Sequence, residues 1–434
     1  MSDSKLPNLN TISNYVDKNA YVRVIILGIN LNKLFLLTLV LVLTLGQSGC
    51  KKTAENSNEI TFWHFQSEPK YKAALKKLIE KFETENNCKV KTVELSWGDG
   101  KTKIISAFNS RIAPDVLELG SDWVAQFSGG GVLADITNDV DLNQFIPASQ
   151  APCLWKNKVY TLPWYVDTRV IYVNKSLLKK YNAIDSIATW QDILKVSQII
   201  NGKDSYGFGV NGADPHRLYK KIMPLLWSNG ADLFTNGKAT LNSANAIEAL
   251  KMYITLSKFG IVESQKNLDN LFLQGRIGLL FSGGWLLDKL KKSSNSFEFE
   301  IINVPNFNSN LGKSFTGGEY IGISASTKKK ELSVKFLKYI TSGAVTLEYC
   351  KNEIGTVLPA DKDYFNHQYF QERPYMNYFI QQIANSKMTD VHKNWLDIEE
   401  ILENAVEKAL YGVKSPEAAL KEANQELRKF EVKN

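Results

Sequence analysis

The chain has 434 residues, of which 44% are hydrophobic, and its 52 Lys and Arg against 45 Asp and Glu give a formal net charge of +7. This composition can bury a large core, which excludes general disorder, and its single long apolar run excludes a multi-span membrane protein. The positive charges occur in short scattered runs, which indicates solvated surfaces rather than a nucleic-acid-binding patch. The length is sufficient for two domains of about 150–200 residues, each with its own core.

The N-terminal region has the features of a targeting signal. Residues 34–45 are twelve uncharged residues, all but two of them apolar, a run too short to span a bilayer comfortably but typical of the centre of a signal peptide. Small residues then precede Cys50, a pattern that resembles the bacterial lipoprotein signal, in which the cysteine is lipidated. We therefore predict a lipoprotein signal peptide over 1–49, a polar tether over 50–58 and a lipid anchor on Cys50 that holds the protein outside the cytoplasm, in the periplasm or at the cell surface. A plain secretory signal and an uncleaved anchor are the open alternatives.

Beyond the tether, apolar periodicity predicts alternating strands and helices. The first group contains strands at 60–65, 89–95 and 114–119 and an amphipathic helix that begins near Pro69. The second group contains a strand at 170–173, helices at 175–181 and 190–199, strands at 206–210, 277–281, 299–304 and 320–323, and helices at about 398–410 and 416–430. This alternation predicts two α/β units with mostly parallel sheets.

The motif content of the sequence favours binding over catalysis. The sequence has no HExxH, GxSxG or P-loop pattern, and its cysteines lack the CxxC spacing of zinc and redox sites. A GxGxxG match at 207–212 lies in and just after a predicted strand, and we interpret it as chance, while the glycine run at 129–131 predicts a helix end and a turn. No cofactor and no metal are therefore predicted. Cys88, Cys153 and Cys350 allow at most one disulfide, and nothing in the sequence indicates which two would pair.

Aromatic residues, glycines and carboxylates follow several predicted strands. Ligand sites of α/β folds lie at the carboxyl ends of strands, so these residues are candidates for ligand contact. Aromatic faces pack on the apolar faces of sugar rings, and carboxylates bind sugar hydroxyls, which suits a carbohydrate ligand. Core packing is the alternative for each single aromatic residue. The stacking candidates are Trp63, Trp97, Trp164, Tyr165, Trp227, Trp285 and Trp395.

The order of these segments resembles a known family. From about residue 59 to 430 the chain is similar to the extracellular solute-binding lipoproteins of ABC importers, in the sugar-binding group that includes maltose-binding protein. The segments that carry the resemblance are 60–65, 113–116, 122–123, 131–136, 160–169, 172–175, 189–192, 274–278, 283–285 and 317–323. Each segment alone has moderate specificity, and their order makes the set specific.

The resemblance implies an α/β fold of two lobes joined by hinge strands, with the ligand cleft between the lobes. The lobes would be discontinuous, with lobe 1 formed by 59–168 plus 319–357 and lobe 2 by 169–316 plus 358–430. Ligand binding would shift the population toward a closed form, which the transmembrane permease subunits recognise. The protein is expected to act as a monomer.

The strand ends and the resemblance together define the candidate ligand-binding site. Asp122 is expected to accept hydrogen bonds from hydroxyls, and Trp285 is expected to be a stacking platform. His64 is expected either to contact the ligand or to cap a strand. The candidate site residues are Trp63, His64, Trp97, Asp122, Tyr165, Asp167, Trp227, Gly284, Trp285, Glu319 and Trp395.

The resulting prediction is a substrate-binding component of an ABC importer that captures a mono- or oligosaccharide outside the membrane and has no catalytic activity. Two alternatives stay open. A receptor for a non-sugar solute, such as a polyamine or a phosphorylated polyol, would have a cleft rich in charge and poor in aromatic residues. A secreted carbohydrate-active enzyme would need two carboxylates, for which Asp122 and Glu319 are the candidates.

Overall fold

The computed structural model describes residues 58–431, except residues 185, 213, 216, 295–296, 309, 352–356 and 390. The predicted signal peptide and Cys50 lie outside the described residues. Among the residues that the structure describes, no helix combines the length and the apolar character needed to cross a bilayer.

The described residues alternate between strands and helices in both halves of the chain. The strands are β1 (Glu59–His64), β2 (Lys89–Glu94), β3 (Val116–Gly120), β4 (Leu154–Trp155), β5 (Lys158–Val159), β6 (Thr161–Asn174), β7 (Tyr206–Asn211), β8 (Phe234–Thr235), β9 (Lys238–Ala239), β10 (Gly260–Glu263), β11 (Ile277–Gly283), β12 (Phe299–Ile302), β13 (Ser314–Ile323), β14 (Leu358–Pro359) and β15 (Ser386–Lys387).

The α-helices are α1 (Pro69–Asn86), α2 (Gly100–Asn109), α3 (Val124–Gly129), α4 (Pro147–Gln150), α5 (Lys175–Lys180), α6 (Trp190–Ile200), α7 (Tyr219–Ser228), α8 (Ala244–Lys258), α9 (Gln265–Leu273), α10 (Gly284–Lys292), α11 (Lys330–Thr341), α12 (Gly343–Lys351), α13 (Lys362–Phe365), α14 (Gln368–Gln371), α15 (Met376–Ala384), α16 (Trp395–Leu410) and α17 (Pro416–Leu427). Short 3₁₀ helices cover Leu142–Gln144, Ala151–Cys153 and Arg428–Phe430.

One large mixed sheet runs through the molecule in the order β10-β7-β11-β6-β13-β3-β1-β2. The outer strands on each side are parallel to one another, whereas β6 and β13 in the middle pair antiparallel. The long strand β6 changes its main partner along its length, since Thr161–Thr168 pairs with β13 and Arg169–Val173 pairs with β11. The strands β6 and β13 therefore connect two parts of the sheet.

Each part of the sheet has its own hydrophobic core. The first core includes Phe62, Phe82 and Phe336 from the β1, α1 and α11 segments, and we refer to this part as lobe 1. The second part, lobe 2, has helices on both faces of its sheet. Alternate residues of β6 show this arrangement, because Ile171 packs into one buried cluster of lobe 2 and Tyr172 into another.

Most of the predicted elements are confirmed within a few residues. The predicted cap of α6 is confirmed as a capping box, in which the Thr189 hydroxyl accepts a hydrogen bond from the backbone N–H of Asp192 at 3.1 Å and the Asp192 carboxylate accepts one from Thr189 N at 3.0 Å. The helix end predicted in the glycine run is also confirmed, since α3 ends at Gly129 and Gly131 has a φ of +70°.

The structure adds to the sequence predictions at the segment 316–319, at the end of lobe 1 and at the cysteines. The segment 316–319, predicted to flank a strand, lies inside β13 because both of its edges are paired, with β6 on one side and β3 on the other. Beyond the lobe boundary predicted at 357, Leu358 and Phe370 still pack in the first core. Cys88, Cys153 and Cys350 are all buried free thiols, so no disulfide joins them.

Candidate functional site

The candidate site lies where the two lobes face each other across the crossing strands. Asp122 of lobe 1 lies 3.8 Å from the amine of Lys220 in lobe 2. A second contact between the lobes joins Lys70 of α1 to Asp288 of α10 at 2.7 Å. Asp122 follows the carboxyl end of β3 and Asp288 follows that of β11, and these two strands pair with the crossing strands β13 and β6.

Asp122 is a buried carboxylate with two cationic neighbours. It lies two residues after the end of β3, and only 7% of its surface is exposed. Burial opposes the charge of this carboxylate, but the amines of Lys220 and Lys101 outweigh burial and hold the pKa of Asp122 below its usual value. Asp122 is therefore a charged hydrogen-bond acceptor at neutral pH.

Lys101, on the first turn of α2, contributes a buried amine. Its Nζ donates to no partner among the described residues, and it lies 5.0 Å from the centre of the Trp123 ring. Burial lowers the pKa of Lys101, while the carboxylates of Asp122 and Glu399 oppose that shift. A buried donor of this kind is costly unless a ligand or water accepts its hydrogen bond.

The middle of the crossing strands carries a second group of charges. Asp167 Oδ1 accepts a hydrogen bond from Arg169 Nη1 at 3.0 Å. A Cβ atom at Gly317 would lie 2.2 Å from that Asp167 oxygen, so glycine is needed on β13 for this pair to form. Glu319 pairs with Tyr165 across the strands, and its Oε2 is buried without a hydrogen-bond partner in the described part of the chain. Burial raises the pKa of Glu319 well above its usual value, and neighbouring carboxylates add to this shift.

Behind Glu319 lies a buried polar network of lobe 1. Gln66 Nε2 donates hydrogen bonds to Glu118 Oε1 at 2.7 Å and to the Tyr165 hydroxyl at 2.9 Å. Glu118 Oε2 accepts a further bond from the backbone N–H of Phe65 at 2.9 Å. Burial raises the pKa of Glu118 to about 8 despite these donors. The network connects the carboxyl ends of β1 and β3 to β6, so it fixes the floor of the site on the lobe 1 side.

Lobe 2 contributes an aromatic platform. Trp285 lies in the first turn of α10, immediately after the buried residue Gly284, and its side chain is partly exposed. Its indole N–H donates to Asp269 Oδ2 at 2.9 Å. The Arg169 guanidinium lies 5.4 Å from the ring centre, which places Trp285 beside the crossing strands.

A further aromatic group lies at the strand ends of lobe 1. Trp97 is 37% exposed, and its ring stacks on Phe65 at 4.2 Å and lies 5.4 Å from Trp123. Trp63 is half-buried against the first core. His64 is buried, its Nδ1 accepts a hydrogen bond from Gln66 N at 3.2 Å, and burial lowers its pKa to about 4. His64 is therefore neutral at neutral pH and orders the end of β1.

The remaining aromatic candidates are packed inside the lobes. Trp164 is fully buried in lobe 1. Trp227 is 6% exposed and donates its N–H to Asp232 within lobe 2 at 3.0 Å, two turns of α7 away from Lys220. Trp395 is 1% exposed and contacts Tyr219 edge to face at 5.4 Å. Trp395 thus supports the residue next to Lys220 rather than exposing a face to a ligand.

Several residues of the site were not among the sequence candidates. They are Gln66, Lys101, Arg169, Lys220 and Asp269. Gln66 follows the end of β1, and Arg169 is part of the predicted hinge segment, so their positions offered a signal. Lys101, Lys220 and Asp269 lie on helices, and only the folded chain brings them to the site.

The chain matches proteins of known function and structure. A family described as bacterial extracellular solute-binding proteins matches residues 66–345. The maltodextrin-binding protein MdxE of Bacillus subtilis is 24% identical over 335 residues, which cover 70% of this chain and 75% of that protein.

Two solved structures have the same fold. The GacH receptor of Streptomyces glaucescens, which has been crystallised with acarbose, superimposes with a TM-score of 0.76 at 23% identity, covering 86% of this chain and 98% of that chain. UgpB of Mycobacterium tuberculosis in complex with glycerophosphocholine superimposes with a TM-score of 0.75 at 19% identity, covering 86% of this chain and 98% of that chain. The predicted two-lobe α/β fold is thereby confirmed.

Proposed function

Because the chain belongs to the bacterial extracellular solute-binding proteins, we propose that it is the substrate-binding component of an ABC importer that captures a mono- or oligosaccharide and delivers it to the permease. The observation that carries this proposal is the group of Asp122, Glu319 and Trp285 around the crossing strands between the lobes. The proposal includes a location outside the cytoplasm and a lipid anchor on Cys50, and it includes no catalytic step.

The chemistry of the site suits a ligand with many hydroxyl groups. Trp285 offers an aromatic surface, and the charged Asp122 accepts hydrogen bonds. The buried atoms Lys101 Nζ and Glu319 Oε2, which lack partners among the described residues, supply a donor and an acceptor. A sugar hydroxyl both donates and accepts, so one sugar ring can satisfy groups of both kinds.

The crossing strands supply the mechanism of capture. Since β6 and β13 join the lobes, small backbone rotations near Thr168 and Arg169 can change the angle between them. A ligand that contacts Asp122 of lobe 1 and Trp285 of lobe 2 at once is bound better by the closed form, and it shifts the population toward that form. The permease would then recognise the closed arrangement of both lobes.

A thermal-shift screen tests this function. The chain from residue 51 onward, which contains both cores, is screened against sugars, polyols, polyamines, amino acids and phosphate esters. A ligand at one hundred times its dissociation constant raises the apparent stability by about 2.7 kcal/mol, so a shift restricted to one class of sugar is expected. A shift with polyamines alone would contradict the proposal. Chromatography of the incubated oligosaccharides should show them intact, and cleavage that is lost in Glu319→Gln would establish an enzyme instead.

A phosphorylated polyol is the second candidate ligand. Lys101 and Lys220 place two amines beside Asp122, and amines of this kind bind phosphate oxygens. UgpB, which shares the fold, has been crystallised with glycerophosphocholine. A thermal shift with glycerol phosphates, absent with both free sugars and inorganic phosphate, would favour this candidate over a sugar.

The contact between Lys70 and Asp288 predicts an effect on closure. Their side chains are 23% and 14% exposed, and the Tyr71 hydroxyl lies 3.4 Å from the same carboxylate. Since α1 and α10 belong to different lobes, this pair stabilises only the closed form. Asp288→Asn is therefore expected to weaken ligand binding about fivefold, or about 1 kcal/mol, in a calorimetric titration.

The matched control for this prediction is an ion pair within lobe 2. Lys251 and Glu417 lie 2.5 Å apart and join α8 to α17. Glu417→Gln should leave the affinity unchanged, because that pair does not respond to closure. Equal losses in Asp288→Asn and Glu417→Gln would show that the contact between the lobes has no special role.

A further inference from the structure

The buried face of α9 carries a carboxylate among apolar residues. Leu268 and Phe272 pack into lobe 2, and Asp269 between them is only 1% exposed. Burying a carboxylate costs several kcal/mol unless hydrogen bonds and a counter-charge compensate. A leucine at this position would avoid that cost, so the presence of a carboxylate indicates a role for the contacts of Asp269.

Both oxygens of Asp269 are fully engaged. Oδ1 accepts from Gln265 Nε2 at 2.8 Å and from the Ser282 hydroxyl at 3.0 Å. Oδ2 accepts from the indole N–H of Trp285 at 2.9 Å and from Lys289 Nζ at 3.1 Å. These four donors come from α9, from the end of β11 and from the first two turns of α10. The carboxylate therefore joins the three elements that surround the platform.

A second contact restricts the same indole. A Cβ atom at Gly283 would lie 2.0 Å from the six-membered ring of Trp285, so the ring lies directly on the Gly283 backbone. This contact limits how closely the ring approaches β11, but a contact with the ring does not select the direction of the indole N–H. The hydrogen bond from Nε1 to Asp269 Oδ2 selects that direction, because an indole has a single N–H donor.

We propose that Asp269 is a positioning residue of the ligand site, which holds the Trp285 indole in one orientation before the ligand arrives. The inference rests on the proposed function, in which Trp285 contacts the ligand. A platform that is already oriented loses less side-chain entropy when it binds, so its affinity is higher than that of a mobile ring.

Two variants distinguish the role of Asp269 as a hydrogen-bond acceptor for Trp285 from the role of its negative charge. Asp269→Leu removes the acceptor, and its affinity for the sugar found in the screen is expected to fall at least tenfold. Asp269→Asn is the rescuing variant. Its oxygen can face Trp285 while its amide donates to the Ser282 hydroxyl and, after the Gln265 amide turns over, to Gln265 Oε1, which is buried without a partner in the described residues. We expect its affinity to stay within threefold of wild type.

Lys289→Met is the matched control. It removes one donor to Asp269 but retains the acceptor for Trp285, so affinity within twofold of wild type is expected. Asp269→Ser is the second variant should Asp269→Leu not fold. Its side chain is too short to reach the indole, and the same tenfold loss is expected.

The readouts are calorimetric affinity and ¹⁹F NMR of protein labelled with 5-fluorotryptophan, with the Trp285 resonance assigned by its loss in Trp285→Phe. Asp269→Leu should shift or broaden that resonance without ligand, and Asp269→Asn should restore it. In the Trp285→Phe background, Asp269→Leu should weaken binding no further. An undiminished loss in that background, or an unchanged resonance, would overturn the proposal. A protein that binds no sugar but shows the resonance change would refute the sugar-receptor function and retain the positioning role.

Discussion

Replacing Asp122 with asparagine is expected to weaken ligand binding about a hundredfold, or about 2.7 kcal/mol. The carboxylate is 7% exposed and faces the amines of Lys220, at 3.8 Å, and Lys101. Asparagine leaves these two cations close together without a counter-charge, and removal of one partner from a buried charged group costs about 3–5 kcal/mol. The substitution also removes a charged acceptor for ligand hydroxyls.

The effect should concentrate in the closed form, because Lys220 belongs to the opposite lobe. Calorimetric titration with the ligand measures the affinity, and the melting temperature of the unliganded protein reports whether the variant folds. We expect a small change in melting temperature together with the large loss of affinity. Lys220→Met, which leaves the carboxylate to Lys101, should lose less affinity than Asp122→Asn.

Asp135→Asn is the matched control for Asp122→Asn. Asp135 also belongs to lobe 1 and pairs with Lys158 at 2.7 Å, but the pair is exposed and lies within one lobe. Its removal should change the affinity less than twofold. If both aspartates give similar losses, or if Asp122→Asn binds as wild type does, Asp122 does not hold the ligand.

Local periodicity accounts for the parts of the fold that were predictable. The stripe of Leu75, Leu78 and Phe82 identified α1, and Thr189 identified the start of α6, because both signals depend on residues within one or two turns. The family and the two-lobe fold were predicted from the order of several such segments, and both are confirmed. The continuation of lobe 1 beyond residue 357 was not predicted, since it depends on the pairing of Leu358 with Val166 of β6.

The candidate site was less accessible to sequence reasoning. Asp122 and Trp285 could be selected because they follow strands. Whether a tryptophan is exposed depends on distant packing, and Trp164 and Trp395 are as buried as any aliphatic residue. Lys220 could not be selected either, because it faces Asp122 from the other lobe. The sequence therefore indicated the ends of the strands more accurately than the charges that surround them.

Lys221, next to Lys220 on α7, is a lysine buried inside lobe 2. It is 6% exposed, and its Nζ donates to the Phe281 carbonyl at 3.1 Å. With Trp190, Phe208 and Gln265 it lines a small pocket inside lobe 2. A lysine in such surroundings is expensive to charge.

Burial, together with the nearby Arg169, lowers the pKa of Lys221 from 10.5 to about 7. The carboxylates of Asp269 and Asp214 oppose this shift, and Arg217 adds to it. Between pH 7 and 10.5 the unfolded chain therefore binds one proton more at this lysine than the folded chain. Unfolding then takes up a proton, so the stability contributed by this group rises with pH across that interval, by about 1.4 kcal/mol per pH unit. Below pH 7 both states are charged, and the penalty of the buried amine is fully present.

Lys221→Met should remove this dependence. We expect the variant to be more stable than wild type by a few kcal/mol at pH 7, with a difference that shrinks as the pH rises toward 10. Urea unfolding at several pH values from 6.5 to 9.5 measures the difference in unfolding free energy between the variant and wild type. The contributions of all other titrating groups cancel in this difference. For Lys266→Met, on the exposed face of α9, the curve of unfolding free energy against pH should run parallel to that of wild type. If the Lys221→Met curve is also parallel to wild type, Lys221 keeps its ordinary pKa in the folded chain, and a cation then sits at full charge in the core behind the Trp285 platform.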